Sequence, residues 1–154
     1  MSMQQIIDAV RPLEGALVVA PREGDGTPPL AWGDFFFYYA PDGRMPANTQ
    51  PYGTIVTKDY PGDTLSRLGD GTPAHPGWRV NVHVGRTAAR ELAGEPTEET
   101  DFAAADVLLP HPVYGDLGWI AVVEPGRRTT ETVIRLLRSA HDAARARAER
   151  RSRG

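Results

Sequence analysis

The chain has 154 residues, no cysteine and a formal net charge of −3. This length fits one domain that buries roughly two-thirds of the surface of its unfolded chain, so neither a disulfide nor a structural metal is required. The lack of cysteine excludes thiolate catalysis, thiolate-bound zinc and disulfide bonds. No signal-peptide pattern opens the sequence and no apolar run approaches the ~20 residues that span a membrane, which predicts a cytoplasmic protein with no membrane partner.

Charge is unevenly distributed along the chain. Between Arg135 and Gly154, seven arginines stand against two acidic residues, a balance of +5 that leaves −8 for the rest of the chain. A basic segment of this kind either attracts nucleic acid or forms the solvated face of a helix that frays into a tail. The sequence predicts one domain over residues 1–149 and a basic, disordered tail over residues 150–154.

The predicted elements follow from hydrophobic spacing. Ser2 and Gln5 form a capping-box pair ahead of apolar residues at helical spacing, which predicts a first helix over about residues 3–12. A short helix is predicted over 87–93, and a long helix begins near residue 130, with alanine and leucine on one stripe and arginine outside. Short apolar runs between Gly/Pro-rich loops predict five strands, over 16–20, 35–39, 53–58, 78–84 and 118–124.

The order of these elements predicts the fold class. Loops join most consecutive strands, and the two prolines of segment 108–115 predict an ordered extended loop before the last strand. Strands joined in this way favour antiparallel pairing. We expect a single α+β domain, with a mainly antiparallel sheet of about five strands and with the N-terminal and long C-terminal helices packed on one face.

The strand over 78–84 carries the clearest candidate binding surface. Its valines alternate with Arg79, Asn81 and His83, and successive side chains of a strand lie on opposite faces. One face of this strand is therefore predicted to be core, while the other presents three different polar groups. Such a trio can read the charge and shape of a ligand, or its members can be exposed and bonded to one another.

Four further residues are candidates for the same ligand site. Tyr39 ends a run of five aromatic residues, and Tyr114 and Trp119 are aromatic residues that either stack on a ligand or anchor the core. Lys58 is the one lysine of the chain and stands beside Asp59. A desolvated Lys58 would act as a base or Schiff-base amine, whereas an exposed and paired Lys58 would only hold charge or bind an anion.

The sequence assigns no catalytic residue, metal or cofactor. His-x-x-x-His and His-Glu-x-x-His patterns are absent, although His83 and His111 with an acidic third ligand would make a metal site if the fold brought them together. His83 alone has a pKa near neutrality in its free form and suits a general base, with Asp34 or Asp116 as orienting partner. No Gly-x-Ser-x-Gly nucleophile motif is present.

Several segments carry a resemblance to known families. The chain resembles an actinobacterial family of small proteins of unknown function, in Trp32-Gly33-Asp34 with the aromatic run, Thr49-Gln50-Pro51 through Asp63, Arg79-Val80-Asn81, and His111-Pro112-Val113-Tyr114-Gly115 with Gly118-Trp119. More distantly, the strand and helix from Trp119 through Ala143 are similar to the end of MmcQ/YjbR-type domains. That resemblance implies a compact α+β fold, and some of those domains are labelled DNA-binding.

Two functional hypotheses follow from the sequence. The first is a small-molecule-binding domain, such as an accessory, resistance or biosynthetic protein of specialised metabolism, that uses the face of Arg79, Asn81 and His83. The alternative is a nucleic-acid-binding module of the MmcQ/YjbR type that uses the arginine-rich last helix. The predicted partner is thus a small molecule or a nucleic acid, and the sequence specifies neither a reaction nor an oligomeric state.

Overall fold

The fold is described for residues 2–153 of a computed structural model. Three α-helices lie at Met3–Val10 (α1), Arg86–Ala93 (α2) and Thr130–Arg153 (α3). Six strands lie at Ala16–Val19 (β1), Phe35–Tyr39 (β2), Gly53–Val56 (β3), Arg79–His83 (β4), Leu109–Pro110 (β5) and Trp119–Val123 (β6). Within residues 2–153, no helix combines the length and the apolar composition that crossing a membrane requires.

The strands form one antiparallel sheet in the order β1-β2-β3-β4-β6-β5. This architecture confirms the predicted α+β fold class. The strand that was not predicted is β5. It lies in segment 108–115, whose prolines predicted an extended loop. It occupies an edge of the sheet, where Pro110 can stand because an edge residue need not donate a ladder hydrogen bond on its outer side.

The main core lies between the sheet and the two helices α1 and α3. Alternate side chains of the strands point to this face, and the buried residues include Phe37, Ile55, Val80, Val82, Ile120 and Val122 from the sheet, Ile6, Ile7 and Val10 from α1, and Val133, Leu137 and Ala140 from α3. Full burial of one such large side chain contributes about 1.5–3 kcal/mol. This packing is the main reason that α1 and α3 lie on the same face, as the sequence predicted.

Helix α3 is also tied to the sheet by a buried histidine. His141 is 3% exposed, and its Nδ1 accepts a hydrogen bond of 2.9 Å from the Tyr52 hydroxyl. Its Nε2 donates to the carbonyl oxygen of Glu14 at 2.7 Å. One imidazole ring therefore joins α3 to the segment before β1 and to the residue that precedes β3.

The end of α3 differs from the prediction for the C-terminus. The helix continues to Arg153, so helix replaces the disordered tail that was predicted from residue 150. The Arg145 and Glu149 side chains pair at 2.9 Å with helical i,i+4 spacing, and the arginines of the last turn interact favourably with the negative end of the helix dipole. Gly154 lies outside the described residues.

The start of α3 is capped by a residue from a distant loop. The Asp106 carboxylate accepts the backbone N–H groups of Gly126, Arg128 and Thr129 at 2.7, 3.0 and 3.0 Å. The Thr129 hydroxyl also donates to it at 2.6 Å, and this bond, together with the three backbone bonds, lowers the pKa of Asp106 to about 2. Asp106 therefore caps the start of α3 from a distant part of the chain.

The second face of the sheet is covered by loops. Residues 59–69 form a loop whose ends meet, because the Asp59 N–H donates to the Gly69 carbonyl oxygen at 2.8 Å. The Asp59 carboxylate accepts from the N–H groups of Leu68 and Gly69 at 3.0 and 3.3 Å. Compact loops with joined ends are Ω loops, and we call residues 59–69 the Ω loop. Its Leu68 side chain packs on buried residues of β3 and β6.

Candidate functional site

The register of the sheet determines which predicted site residues share a face. Phe36, Thr54, Asn81 and Ala121 are aligned across β2, β3, β4 and β6, so they lie on the loop-covered face. Arg79 and His83 lie on the same face as Asn81 because they are two residues away on β4. Tyr39 lies on the opposite face, where its ring centroid is 5.5 Å from that of His141.

Arg79 is the centre of a buried polar cluster on this face. It is 2% exposed, and its Nε donates to Asn81 Oδ1 at 2.8 Å. Its Nη1 donates to Asp63 Oδ1 at 3.0 Å and to Ser66 Oγ at 2.9 Å, and its Nη2 donates to Asp63 Oδ2 at 2.6 Å. We call Asp63, Ser66, Arg79, Asn81 and His111 the Arg79 cluster. Four of the five N–H groups of Arg79 therefore already have acceptors within the protein.

His111 is the fifth residue of the Arg79 cluster, and its hydrogen bonds determine which ring nitrogen carries the proton. Its Nδ1 accepts the backbone N–H groups of Val113 and Tyr114, both at 3.0 Å, so the neutral ring carries its proton on Nε2. Nε2 lies 3.2 Å from Arg79 Nη2 and 3.8 Å from Asp63 Oδ2, so the ring stands beside this ion pair without a hydrogen bond to the carboxylate. Burial, with the nearby charge of Arg79, lowers the pKa of His111 to about 4.

The Asp63 carboxylate is the negative partner of both groups. Burial alone would raise the pKa of Asp63, but the hydrogen bonds and charge of Arg79 outweigh it and hold that pKa below its usual value. The side chain of Asp63 is 13% exposed, so the cluster lies just beneath the protein surface.

Lys58 belongs to a second buried cluster. Its Nζ lies 2.9 Å from Asp34 Oδ1 and donates to the Trp32 carbonyl oxygen at 2.9 Å. Asp34 is fully buried and also accepts the N–H of Thr57 at 2.8 Å and its hydroxyl at 2.6 Å. The Tyr60 hydroxyl donates to Asp34 Oδ2, and burial together with this bond raises the pKa of Tyr60. The partner of Lys58 is therefore Asp34, whereas the adjacent Asp59 closes the Ω loop.

The other predicted site residues lie at the edges of the loop-covered face. His83 Nε2 bonds to the Leu117 carbonyl oxygen at 3.1 Å, and its ring meets that of Trp119 edge-on with centroids 5.5 Å apart. Tyr114 is 49% exposed, and its ring lies 5.0 Å from that of His111. The fold therefore brings Arg79, Asn81 and, through His111, Tyr114 together, and it keeps Lys58, the His83 pair and Tyr39 apart from them.

Asp63 and Ser66 were not among the site residues that the sequence predicted. Both lie in a Gly/Pro-rich loop, where acidic and hydroxyl residues are ordinary turn formers. The available signal was indirect: Arg79 lies on a strand between Trp78 and Val80, and a guanidinium that is buried there requires a carboxylate. The loop that supplies it cannot be identified from spacing alone.

The arrangement favours anion recognition over proton transfer. The acceptor nitrogen of His111 is occupied by backbone N–H groups, so this imidazole has no free lone pair with which to act as a base. Among residues 2–153, no group of three His, Cys, Asp or Glu residues is placed to hold a metal ion. The remaining chemistry of the Arg79 cluster is that of a guanidinium that holds a carboxylate, with an imidazole ring beside it.

An open groove lies at the opposite side of the molecule, between the loop that follows β2 and the last turns of α3. Its volume is about 520 Å³, and it is lined by Tyr39, Ala40, Pro41, Asp42, Arg44, Met45, Pro46, Ala47, Ala148, Glu149, Arg151 and Ser152. Tyr39 is the predicted ligand residue that reaches it. We call this feature the α3 groove.

Comparison with known proteins places the chain at family level. The profile of a family of unknown function (DUF6194) matches residues 1–153. No curated protein and no solved structure matches the chain. The match confirms the predicted resemblance to a family of unknown function, whereas the actinobacterial origin and the similarity to MmcQ/YjbR-type domains stay predictions.

Proposed function

We propose, from the premise that this chain belongs to the DUF6194 family of unknown function, that it binds a small organic anion in the α3 groove. The observation that carries the proposal is the groove itself, which is open and has a volume of about 520 Å³. Sites for drug-sized ligands have volumes of about 300–1,000 Å³ and combine apolar walls with a few polar groups.

The walls of the α3 groove suit a ligand with an apolar body. Met45 is 61% exposed and, with two prolines and Ala148, gives the groove an apolar surface that water covers in the free protein. Tyr39 adds an aromatic ring. Exposed methionine adapts its shape to different partners, which suits a site for a flexible or aromatic ligand.

The charges of the α3 groove favour an anion. Arg44 and Arg151 line it, and within the described residues neither forms an ion pair. The two acidic lining residues already have partners, because Asp42 accepts the N–H of Arg44 at 3.0 Å and Glu149 accepts from Arg145 at 2.9 Å. A carboxylate or phosphate group on the ligand would therefore meet two guanidinium groups with little competition.

The experiment is a binding titration with a panel of aromatic and aliphatic carboxylates, followed by NMR shift mapping. We expect shifts confined to the loop after β2 and the end of α3. The double variant Arg44→Glu, Arg151→Glu should weaken binding at least about tenfold, about 1.4 kcal/mol. The matched control is Arg127→Glu, Arg128→Glu, which changes the same charge on exposed residues outside the groove and should leave affinity unchanged.

A second variant tests the apolar wall of the groove. Met45→Asp places a carboxylate on the apolar wall and should also abolish binding, while the fold, which does not use the exposed Met45 side chain, should be retained. Wild-type affinity in Met45→Asp and in the Arg44, Arg151 variant, or shifts that map to another surface, would refute the site.

A second candidate function is nucleic-acid binding through α3. Because α3 is helical to Arg153, Arg147, Arg150 and Arg151 stand at i, i+3 and i+4 on one exposed face of a rigid element. If this face contacts phosphates, binding to duplex or single-stranded DNA should weaken at least about tenfold between about 50 and 200 mM salt, as expected for about three contacts. No binding at the lower salt concentration would exclude it. Both this function and the predicted similarity to MmcQ/YjbR-type domains involve α3.

A further inference from the structure

We propose that residues 61–67 of the Ω loop form a lid, and that the Asp63 carboxylate under this lid occupies an anion site which a small carboxylate ligand takes when the lid opens. We call residues 61–67 the lid and the groups that hold the carboxylate the Arg79 site. This site is distinct from the α3 groove and does not depend on it.

The Arg79 site is built on elements other than the lid. Arg79 lies on the central strand β4, and its Nε is fixed by Asn81, whose own Nδ2 donates to the Thr54 hydroxyl at 2.9 Å. His111 follows β5 and is held by the two N–H groups that its Nδ1 accepts. The guanidinium and the Nε2–H are therefore oriented by the sheet and its connections, so the site keeps its form when Asp63 leaves.

The lid is a separate segment between two fixed ends. On one side, the Tyr60 hydroxyl bonds to the buried Asp34, and on the other, the backbone of Leu68 bonds to Asp59 while its side chain is in the core. These contacts of Tyr60 and Leu68 do not involve residues 61–67, so both ends stay in place when the lid moves. A motion of the lid therefore requires no change in the core.

The contacts that hold the lid down are few and polar. Its bonds to the sheet are those of Asp63 and Ser66 with Arg79. Its other side chains are exposed: Pro61, Thr64, Leu65 and Arg67. Arg67 forms only an exposed ion pair of 3.5 Å with Asp101, and its φ of 52° is in the left-handed region that costs energy for a non-glycine residue. A strained segment held by one buried arginine is suited to open locally.

The chemistry of the Arg79 site selects a carboxylate. The guanidinium offers parallel N–H donors, which Asp63 accepts at 3.0 and 2.6 Å, and the N–H of His111 approaches the same oxygen. Each group that faces the Asp63 oxygens is a donor, so a cation or a group without an acceptor atom would be rejected, and an anionic acceptor is favoured over a neutral one. The exposed ring of Tyr114 lies against His111 and gives an apolar wall for the body of the ligand.

The first test is rescue of an emptied site. In Asp63→Ala the carboxylate is removed and Arg79 keeps its charge, so formate and acetate should raise the melting temperature saturably, with chloride at equal ionic strength as the reference. Acetate should bind Asp63→Ala at least about tenfold more tightly than it binds the wild type, because no internal carboxylate competes. The control Asp70→Ala lies in an exposed turn and should show no specific effect. A folded Asp63→Ala protein without a carboxylate-specific shift would overturn the proposal.

The second test uses the wild-type protein and does not depend on the folding of a variant. The Nε–H proton of Arg79 is buried beneath the lid, whereas the backbone N–H of Val80 is protected by the sheet. If the lid opens locally, the protection factor of the Arg79 proton, the exchange rate of the same group in an unfolded chain divided by its rate in the folded protein, should be at least about tenfold smaller than that of the Val80 N–H in NMR experiments. Equal protection factors would mean that the site opens only on global unfolding, and the lid would be ruled out.

Discussion

At the scale of single residues, His111 connects a local turn to the buried charges of the loop-covered face. Its Nδ1 holds the turn that begins the segment after β5, and its Nε2 lies beside Arg79 and Asp63. Burial and the charge of Arg79 favour the neutral ring, and they outweigh the opposite effect of the Asp63 charge. The loop that Pro110 and Pro112 predicted is therefore stabilised by an uncharged side chain.

The pKa of His111 predicts how stability depends on pH. An unfolded histidine takes up a proton near pH 6.5, whereas folded His111 does so near pH 4, so acid favours the unfolded chain. The contribution is fully present above pH 6.5 and is lost as the pH falls to about 4, with a loss on the order of 3 kcal/mol. Urea unfolding at a series of pH values measures it.

A matched variant isolates this effect. In His111→Asn the amide oxygen can still accept the N–H groups of Val113 and Tyr114, as asparagine does in turns, but the titrating group is gone. This variant should lose much less stability between pH 6.5 and 4, whereas the control His75→Asn, at an exposed position, should behave as the wild type. The same slope in all three proteins would contradict the assignment.

The Asp34 carboxylate predicts a large cost for removing a buried charge partner. Lys58→Met leaves Asp34 with neutral donors only, and we expect a loss of about 3–5 kcal/mol in the free energy of unfolding. Restoring neutrality in the double variant Asp34→Asn, Lys58→Met should recover part of this loss. Urea denaturation of the single and double variants gives the coupling energy, and additive losses would show that the two groups do not interact.

The sequence predicted which residues share a face of the sheet better than it predicted which side chains bond to one another. The alternation on β4 identified Arg79 and Asn81 as members of one face, and the register agrees. Spacing gave no means to find Asp63, because a side chain from a loop reaches Arg79 across the sheet surface. Ligand binding by Arg79, Asn81, His83 and Lys58 stays a prediction.

At the scale of elements, the start of α2 depends on a contact between two backbones. The Gly118 carbonyl oxygen accepts the N–H groups of Val84 and Gly85 at 2.9 and 3.1 Å. Gly118 has a φ of 92°, and a Cβ there would lie 2.6 Å from the Gly85 carbonyl carbon. The turn before β6 therefore holds Val84, which follows β4, and Gly85, which directly precedes α2.

Gly118→Ala should be strongly destabilising because the new methyl group would meet backbone atoms rather than a flexible side chain. We expect a loss of at least about 2 kcal/mol, from the left-handed conformation and from separation of the two backbones. Thermal unfolding measures it. Gly126→Ala, whose Cβ would meet only the Asp106 carboxylate at 3.0 Å, is the comparison and should cost less. A similar cost in both variants would argue against the backbone contact.

Element prediction succeeded where the apolar pattern was long. The strands predicted over 16–20, 35–39, 53–58, 78–84 and 118–124 correspond to β1, β2, β3, β4 and β6. The two-residue strand β5 has no pattern of its own, and it exists because β6 offers an unpaired edge. The end of α3 was predicted too early because local composition does not show the pairing of Arg145 and Glu149.

At the scale of the whole molecule, the helices cover one face of the sheet and loops cover the other. Hydrophobic spacing predicted that α1 and α3 cover one face, since each of these helices carries an apolar stripe. The loops that cover the other face consist of turns without periodicity. Their contacts with the sheet are polar and join residues that are distant in sequence, such as Asp63 and Arg79. The sequence therefore predicted the core and left open what closes the polar face.

Truncation after Arg147 tests whether the last turns of α3 belong to the fold or to the α3 groove. The buried α3 residues end at His141, so we expect a change below about 1 kcal/mol in the free energy of unfolding. Loss of Ala148, Glu149, Arg151 and Ser152 removes one wall of the groove, so carboxylate binding there should disappear. Arg150→Ala in the full chain, which does not line the groove, is the control. Unchanged binding by the truncated protein would place the ligand elsewhere.

The position of α3 in the chain has a consequence for the protein during its synthesis. The apolar face of the sheet and the buried side of α1 are translated before α3, which supplies Val133, Leu137 and Ala140 to cover them. The nascent chain therefore displays Phe37, Val80 and their neighbours until this helix has left the ribosome. Exposed apolar strands of this kind are substrates for chaperones and sites of aggregation. Variants that delay the docking of α3 should lower soluble yield in cells more than their equilibrium stability indicates.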